Sequence, residues 1–170
     1  MTAAARAGPE AASAAELVPL DLTALARSVG EEWIPRALAR QIDFGFVAPQ
    51  EPVRIAGNAG LLGELLSNLI DNALRYCAAG SRVTVSVEAS PAPALVVEDD
   101  GPGIPIAERD KVFDRFYRLE HTAAEGCGLG LAIVREIALV HRGRPEISSG
   151  SAGRGARFTV VFPAALREAA

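Results

Sequence analysis

The chain has 170 residues, of which 49% are hydrophobic and 22% charged, and its formal net charge is -4 at pH 7. This length and apolar content predict one domain with a sizeable core. The acidic balance argues against a nucleic-acid partner. The single lysine, Lys111, lies in Arg-Asp-Lys-Val, which excludes the G-x-x-x-x-G-K-[ST] phosphate loop, and the motifs of serine/threonine protein kinases are also absent.

The two cysteines, Cys77 and Cys127, lack metal-type spacing and indicate reduced thiols in a cytoplasmic domain. No apolar run approaches the ~20 residues that a membrane helix needs. The start of the chain has no apolar segment typical of a signal peptide.

The chain begins with an alanine-rich stretch, residues 1–19, which predicts a linker or flexible tail. Asp21 is a candidate N-cap for a helix that runs toward Leu38. Pro35 is expected to kink or interrupt that helix, because proline lacks the N–H that the helix needs.

Apolar alternation or continuity predicts strands at residues 42–47, 53–55, 82–88, 94–99, from 147 and at 156–162. The strands at 82–88 and 94–99 are predicted to form a hairpin. The second of them has a continuous apolar run, which is typical of a central strand buried on both faces. A helix from about residue 131 is expected to stop at Gly143 and Pro145.

A helix over residues 59–77 has an unusual polar stripe. Glu64, Asn68 and Asn72 are spaced four residues apart and share one face. Asparagine is a poor helix former, so two of them inside a strong helical pattern suggest a task other than stability. A carboxamide oxygen suits a hydrated magnesium ion, although the stripe alone fits solvated or capping asparagines equally well.

Two glycine-rich segments follow. Asp-Asp-Gly-Pro-Gly-Ile-Pro, residues 99–105, comes directly after a buried strand, and Pro105 can open a short helix. Gly-Cys-Gly-Leu-Gly-Leu, residues 126–131, opens a helix after a polar loop at 119–125. Either segment alone is more often a turn than a nucleotide site.

In this order the motifs resemble those of the catalytic ATP-binding domain of bacterial sensor histidine kinases, which has the Bergerat fold. The matching segments are the N box at 68–73, glycine boxes at 99–104, 126–131 and 153–155, and the F box at 112–118. The resemblance covers residues 20–165 and leaves 166–170 as a tail. It implies an α/β (α+β) two-layer sandwich, with a mixed, mainly antiparallel sheet of about five strands on about three helices, and an ATP lid.

The resemblance implies ATP and Mg²⁺ as cofactors and gives each motif a role. Asn72 would be the principal magnesium ligand, with Asn68 supporting the metal or the triphosphate. Arg75 would pair with phosphate oxygens, and Tyr76 would stack on the adenine. Asp99 would accept a hydrogen bond from the exocyclic amine of adenine.

The glycine boxes would place backbone against the nucleotide. Gly101 and Gly103, with Ile104, would let the chain approach the base. The second box would present backbone N–H groups to phosphate at a helix N-terminus; its residues are Gly126, Gly128, Leu129, Gly130 and Leu131. Arg118 would reach the γ-phosphate when the lid at 119–125 closes.

Several residues have plainer expected roles. Phe113 and Phe116 are expected to pack beneath the lid. Glu64 is expected to be solvated; the alternative is that it orients Asn68. His141 is expected to be structural, because a histidine at a helix C-terminus meets the dipole favourably; His121 is expected to be exposed.

Two further expectations concern residues in or beside the first and third glycine boxes. Asp100 is a better candidate than Asp99 for capping Gly101. Position 156 is alanine where the family usually has threonine, which puts a hydrogen bond there in doubt.

Neither histidine has the acidic neighbour and nearby proline of a phosphate acceptor. The chain is therefore expected to bind Mg-ATP without autophosphorylating, as a monomeric cytoplasmic domain cut from a larger kinase anchored in the inner membrane. The implied partners are the dimerisation domain that carries the acceptor histidine and the receiver domain of a response regulator.

Two alternatives share the fold. Gyrase-like and chaperone-like ATPases place a glutamate one turn before the metal-binding asparagine, as a general base. Asn68 occupies that position here and cannot take a proton, so hydrolysis is expected to be slow. An anti-sigma-factor serine kinase is the second alternative, and the run Arg115-Phe116-Tyr117-Arg118 favours a sensor kinase over it.

Overall fold

A five-stranded sheet with three helices packed on its inner face organises the chain. The computed structural model describes residues 15–115 and 130–164. The strands are β1 (Val18–Asp21), β2 (Asp43–Val47), β3 (Arg54–Gly57), β4 (Arg82–Glu88), β5 (Ala94–Asp99), β6 (Arg144–Ser149) and β7 (Ala156–Val161). The helices are α1 (Leu22–Ala39), α2 (Ala59–Tyr76) and α3 (Gly130–Val140), with a short 3-10 helix at Ile106–Glu108.

The sheet has the strand order β2-β4-β5-β7-β6. Only β2 and β4 run parallel, and the other pairs are antiparallel. The predicted hairpin is β4 and β5, in which Val83 lies opposite Asp99. The middle of β5 is fully buried on both faces, as its continuous apolar run predicts. The mixed, mainly antiparallel sheet on three helices is therefore confirmed.

The sequence analysis did not predict the first strand, β1. Val18 and Pro19, assigned by composition to the tail, belong to β1, which pairs antiparallel with β3 so that Val18 lies opposite Gly57. The predicted strand at 53–55 thus lies in a separate two-stranded sheet. Pairing with a partner distant in sequence satisfies the backbone of β1, and composition carries no sign of it. Asp21, at the end of β1, caps α1 as expected, because its carboxylate accepts the N–H of Ala24 at 3.0 Å.

Pro35 lies inside the helix that it was expected to kink or interrupt. Pro35 is within α1, which continues to Ala39; it lies on the exposed side, where water can bind the carbonyl that loses its partner.

Helix α3 ends at Val140, before Gly143 and Pro145, as predicted. The strand predicted from residue 147 begins earlier, at Arg144, so Pro145 lies within β6. That strand is at the sheet edge, where a missing N–H is tolerated.

The helices bury one apolar stripe each against the sheet. In α2 the predicted stripe is confirmed and includes Leu62, Leu65, Leu66, Leu69 and Ala73, all 0–1% exposed. At about 25 cal/mol per Å², such side chains contribute roughly 2 kcal/mol each to hydrophobic stabilisation. Within the part of the chain that the structure describes, none of the helices has the length and apolarity that spanning a bilayer requires.

His141 joins the end of α3 to the start of α2. Its Nδ1 lies 2.8 Å from the carbonyl oxygen of Ile137 and donates to it, so Nε2 accepts the N–H of Asn58 at 3.0 Å. The ring is buried and holds both bonds as a neutral imidazole. The structural role is confirmed, and the ring meets the helix C-terminus by donating to a carbonyl oxygen of its last turn. Burial lowers the pKa of His141.

The neutral His141 is expected to make stability pH-dependent. Its pKa is lower in the folded chain than the ordinary 6.5, so the unfolded chain binds the proton first and stability falls as pH drops through 6.5. Urea denaturation at pH 8.0 and pH 5.5 measures this loss, and His141→Gln supplies the comparison. The pH-dependent loss should be smaller in the variant; an equal loss in both proteins would contradict the assignment.

Candidate functional site

The polar stripe of α2 faces the beginning of α3. Asn68 and Asn72 are half-buried, on the side of the helix away from its leucines. The side-chain nitrogen of Asn68 donates to the carbonyl oxygen of Glu64 at 3.0 Å. Its Oδ1 lies 3.3 Å from the point that a Cβ on Gly130 would occupy. The asparagine of one helix therefore contacts the N-terminal residue of the other.

Gly130 is the first residue of α3, where free N–H groups and the helix dipole favour an anion. A Cβ at Gly130 would be in tight contact with the side chain of Asn68. Leu131 is half-buried and packs against the core. Arg118, Gly126, Gly128 and Leu129, with Phe116, His121, Cys127 and the predicted lid, lie outside the described residues.

Asp99 is a buried carboxylate at the end of β5, on the helix-covered face of the sheet. Its Oδ1 accepts the N–H of Gly101 at 2.9 Å and the N–H of Ala156 at 3.3 Å. Burial raises the pKa of Asp99, while these hydrogen bonds oppose the rise. A buried carboxylate held by backbone donors is suited to recognise a single polar group of a ligand.

The expectation that Asp100 caps Gly101 is wrong. Asp99 makes that contact, and the Oδ1 of Asp100 instead accepts the N–H of Arg82 at 2.7 Å. Asp99 is the last residue of β5 and is buried, whereas Asp100 begins the turn that follows. Asp99 therefore points inward, and Asp100 ties the turn to β4.

The first and third glycine segments pack backbone against backbone beside Asp99. Gly103 has a φ of +78°, and a Cβ there would lie 2.9 Å from the carbonyl oxygen of Gly155. Gly155 has a φ of +81°, and its Cβ would overlap the carbonyl oxygen of Asp99. The glycines at these positions are required by close approach, because a side chain at either one has no room. Ile104, next to Gly103, is buried in the core.

The loop between β6 and β7 is fastened to the outer face of the sheet. The backbone N–H and the hydroxyl of Ser151 both donate to Glu98, at 3.1 and 2.5 Å. Arg157 donates to Glu98 at 2.8 Å and to Glu88 at 2.7 Å. Burial by itself raises the pKa of Glu98, but the hydrogen bonds from Ser151 and Arg157 outweigh it and lower that pKa. This fastening holds Gly155 against Asp99.

Arg75 and Tyr76 lie at the last turn of α2. The Nε of Arg75 is 2.9 Å from the carboxylate of Asp71, and both side chains are partly exposed. The carbonyl oxygen of Tyr76 lies 3.7 Å from the Cβ position of Gly101, which puts the end of α2 beside the first glycine segment. The roles of these two side chains toward phosphate and adenine stay predictions.

The remaining expectations fall on the core and the helix surface. Phe113 is 7% exposed and packs edge-on against Phe158, with ring centroids 6.5 Å apart, so core packing is confirmed for it. Glu64 is half-buried and contacts Asn68 through its backbone carbonyl. Among the described residues, no group of three or more His, Cys, Asp or Glu side chains is placed to hold a metal ion.

Two contributors to the site were missed. The backbone N–H of Ala156 carries no signal in the sequence, because any non-proline residue supplies it. Cys77, the C-cap of α2, is buried with its Sγ 3.0 Å from the Cβ position of Gly101. The sequence feature that could have indicated Cys77 is its position directly after the helix that carries Asn68 and Asn72.

Comparison with known proteins agrees with this geometry. Residues 57–166 match the family described as histidine kinase-, DNA gyrase B-, and HSP90-like ATPase. The sensor protein kinase PmrB of Pseudomonas aeruginosa is 37% identical over 147 residues, which cover 85% of this chain and 30% of PmrB. The solved structure of the mycobacterial sensor histidine kinase MprB superposes with a TM-score of 0.77 at 32% identity, covering 86% of this chain and 98% of that one. The ATP binding domain of PrrB from Mycobacterium tuberculosis superposes with a TM-score of 0.69 at 28% identity, covering 88% and 98%.

The chain therefore belongs to the histidine kinase-, DNA gyrase B-, and HSP90-like ATPase family. Within that family it is an ATP-binding catalytic domain of the sensor histidine kinase type, as the predicted motifs indicate. It spans 30% of the length of PmrB.

Proposed function

We propose that this domain binds Mg-ATP and donates the γ-phosphoryl group to a histidine on the dimerisation domain of its kinase, for onward transfer to the receiver domain of a response regulator. The observation that carries the proposal is the contact between Asn68 on α2 and Gly130 at the start of α3. It sets neutral oxygen ligands beside a helix N-terminus that favours phosphate. Asp99, buried at the end of β5, lies at the other end of α2, beside Cys77.

The residues present fit a magnesium ion. Asn72 and Asn68 offer carboxamide oxygens from one half-buried helix face, and Mg²⁺ prefers a few oxygen ligands together with water and phosphate. Asn72 would be the principal ligand, with Asn68 supporting it. The ion would neutralise charge on the phosphate oxygens during transfer.

Each described element has a separate task in this proposal. The carboxylate of Asp99 accepts a hydrogen bond from the exocyclic amine of adenine. A purine that has a carbonyl oxygen in place of that amine is repelled by the carboxylate. Gly101 and Gly103 allow the backbone to approach the base. The N-terminus of α3 holds the phosphates, and Tyr76 and Arg75 contribute stacking and charge. Arg118 and the second glycine box complete the phosphate site.

The absence of a base at Asn68 favours phosphoryl donation over hydrolysis. A carboxamide cannot take a proton from water, so the uncoupled loss of γ-phosphate is slow. A slow ATPase and an anti-sigma-factor serine kinase share the fold, but the sensor kinases among the relatives do not favour either. Incubation with labelled ATP and the dimerisation domain of the same kinase separates them: the proposal predicts acid-labile phosphohistidine on that domain, and phosphoserine or free phosphate alone contradicts it.

The parent protein is proposed to be a sensor anchored in the inner membrane, with this domain monomeric on the cytoplasmic side, where ATP is available. Support comes from the sensor kinases among its relatives. The chain alone is proposed not to autophosphorylate, since His141 is buried and uses both ring nitrogens in structural hydrogen bonds.

Replacing Asn72 by alanine is expected to remove the magnesium dependence of nucleotide binding. The variant loses an oxygen ligand and no core contact, so its affinity for ADP in magnesium should fall to that of the metal-free protein. Calorimetric titration with ADP, in magnesium and in EDTA, measures both values. The melting temperature is the control for folding, and an affinity that still rises with magnesium as in the unaltered protein would rule out the assigned role.

A further inference from the structure

The loop between β6 and β7, residues 150–155, crosses the end of β5 beside Asp99. It is closed on itself, because the N–H of Gly150 donates to the carbonyl oxygen of Gly155 at 3.3 Å. Directly after the loop, the N–H of Ala156 donates to Oδ1 of Asp99 at 3.3 Å. The position of the loop therefore decides whether Asp99 receives that donor.

Glu98 anchors this loop on the outer face of the sheet. Its Oε2 accepts both the backbone N–H and the hydroxyl of Ser151, at 3.1 and 2.5 Å. Its Oε1 accepts the guanidinium of Arg157 at 2.8 Å. The Glu98 side chain is only 21% exposed, and hydrogen bonds to an ionised acceptor are stronger than those between neutral groups. Three of them therefore hold the loop and the start of β7 to one side chain.

The loop contacts two successive residues of β5 on opposite faces of the sheet. Because strand side chains alternate, Glu98 points outward and Asp99 points inward. Between the two contacts, Gly155 passes so close to Asp99 that a Cβ on it would overlap the carbonyl oxygen of Asp99. Closely packed backbone transmits a displacement instead of absorbing it. A shift of the outer contact therefore moves the inner one.

The inner contact orients the Asp99 carboxylate. Its Oδ1 accepts the N–H of Gly101 at 2.9 Å as well as that of Ala156. Two donors from segments far apart in the sequence restrict rotation of the carboxylate more than one donor does, which fixes the direction of Oδ2. Without the Ala156 N–H, the carboxylate is held by its near neighbour Gly101 and turns more freely.

We propose that Glu98 is a positioning residue for adenine recognition. By holding Ser151 and Arg157 on the outer face, it keeps the N–H of Ala156 on Asp99 and the carboxylate aimed at the exocyclic amine. The inference rests on the proposed function, in which Asp99 binds adenine. Glu98 acts through the loop, since its own side chain lies on the face of the sheet opposite to Asp99.

The test uses two variants of the anchor and one matched control. Glu98→Ala removes all three hydrogen bonds, and Ser151→Ala removes only the hydroxyl, from an exposed position where folding does not depend on it. Glu88→Ala is the control, because it deletes a carboxylate that binds Arg157 at 2.7 Å on the same face but makes no contact with Ser151. It changes the net charge by the same amount as Glu98→Ala.

Two quantities are measured in each protein. Hydrogen exchange of the Ala156 amide, followed by NMR without nucleotide and relative to the amide of Val85 in the interior strand β4, reports on the contact with Asp99 separately from global unfolding. Calorimetric titration with ADP and with inosine diphosphate, whose base carries a carbonyl in place of the amine, gives the ratio of their dissociation constants. The melting temperature is the control for folding.

Glu98→Ala is expected to speed exchange at Ala156 roughly tenfold relative to Val85 and to reduce the preference for ADP by roughly three- to tenfold. Ser151→Ala should move both quantities in the same direction by less, and Glu88→Ala should leave both near their original values. A merely structural role would lower the melting temperature and speed exchange equally at both amides.

The inference is overturned, and the proposed function stands, if the unaltered protein prefers ADP and the Glu98→Ala variant keeps that preference or its relative exchange at Ala156. An equal effect of Glu88→Ala overturns it as well, because charge on this face would then be the cause. If the unaltered protein binds both nucleotides equally, adenine recognition by Asp99 is overturned together with the inference.

Discussion

Asp99→Asn is expected to weaken ADP binding by on the order of 100-fold, since a hydrogen bond to a charged group is worth about 1.5–3 kcal/mol and the new amide repels as well. The amide oxygen can keep the N–H groups of Gly101 and Ala156. Its NH₂ group then faces the amine of adenine, so that a donor meets a donor. Calorimetric titration with Mg-ADP measures the loss.

Asp100→Asn is the matched control. It makes the same change of charge one residue away, in a side chain that accepts the backbone N–H of Arg82 on β4. Its affinity for ADP should remain within about twofold of the original. An equal loss in the two variants would show that net charge, and no specific contact, governs binding.

The stability of Asp99→Asn distinguishes a loss of ADP binding from a loss of folding. Burial raises the pKa of Asp99 above its ordinary value, which means that folding favours the neutral acid and stability falls as pH rises from the ordinary pKa to the raised one. The neutral amide removes that cost above the raised pKa. The free energy of unfolding of Asp99→Asn at pH 7 is therefore not expected to fall, so a loss of ADP binding cannot be attributed to unfolding.

Gly155→Ala is expected to destabilise the domain by about 3 kcal/mol or more, because its Cβ overlaps the carbonyl oxygen of Asp99 and lies 2.8 Å from the Cα of Asp100. Backbone atoms of a buried strand cannot move aside as a flexible side chain does. Any relaxation displaces Asp99, so ADP affinity should fall as well. Urea denaturation and calorimetry measure the two effects.

Gly153→Ala controls for backbone conformation. Gly153 has the same φ of +81°, but among the described residues no heavy atom lies within 4 Å of its Cβ position beyond its own neighbours. Its substitution should cost about 1 kcal/mol, from the left-handed conformation alone. The difference between the two variants isolates the close approach at Gly155, and equal costs would remove that contact from the account.

The features that could be predicted depend on local pattern. The leucine stripe of α2, the alternation in β4 and the apolar run of β5 each arise from the geometry of one element, so periodicity reveals them. The asparagine stripe is visible for the same reason. The family resemblance added the order of the motifs and, with it, the pairing of α2 with the start of α3.

The errors came from contacts between distant segments. The strand β1 forms because Val18 meets Gly57, and Pro145 is tolerated because β6 falls at the sheet edge. Sequence periodicity contains none of these partners.

Residue order alone thus determined most of the helices and strands, because those depend on neighbours within one turn or one pleat. The nucleotide roles of the side chains are predictions that come from the family resemblance. Tertiary structure decided how Asp99 is held. Its donors are the backbone N–H of Gly101 and the backbone N–H of Ala156, which lies 57 residues away in the sequence. A backbone N–H is the same in nearly every residue, so only folding reveals which one a buried carboxylate receives.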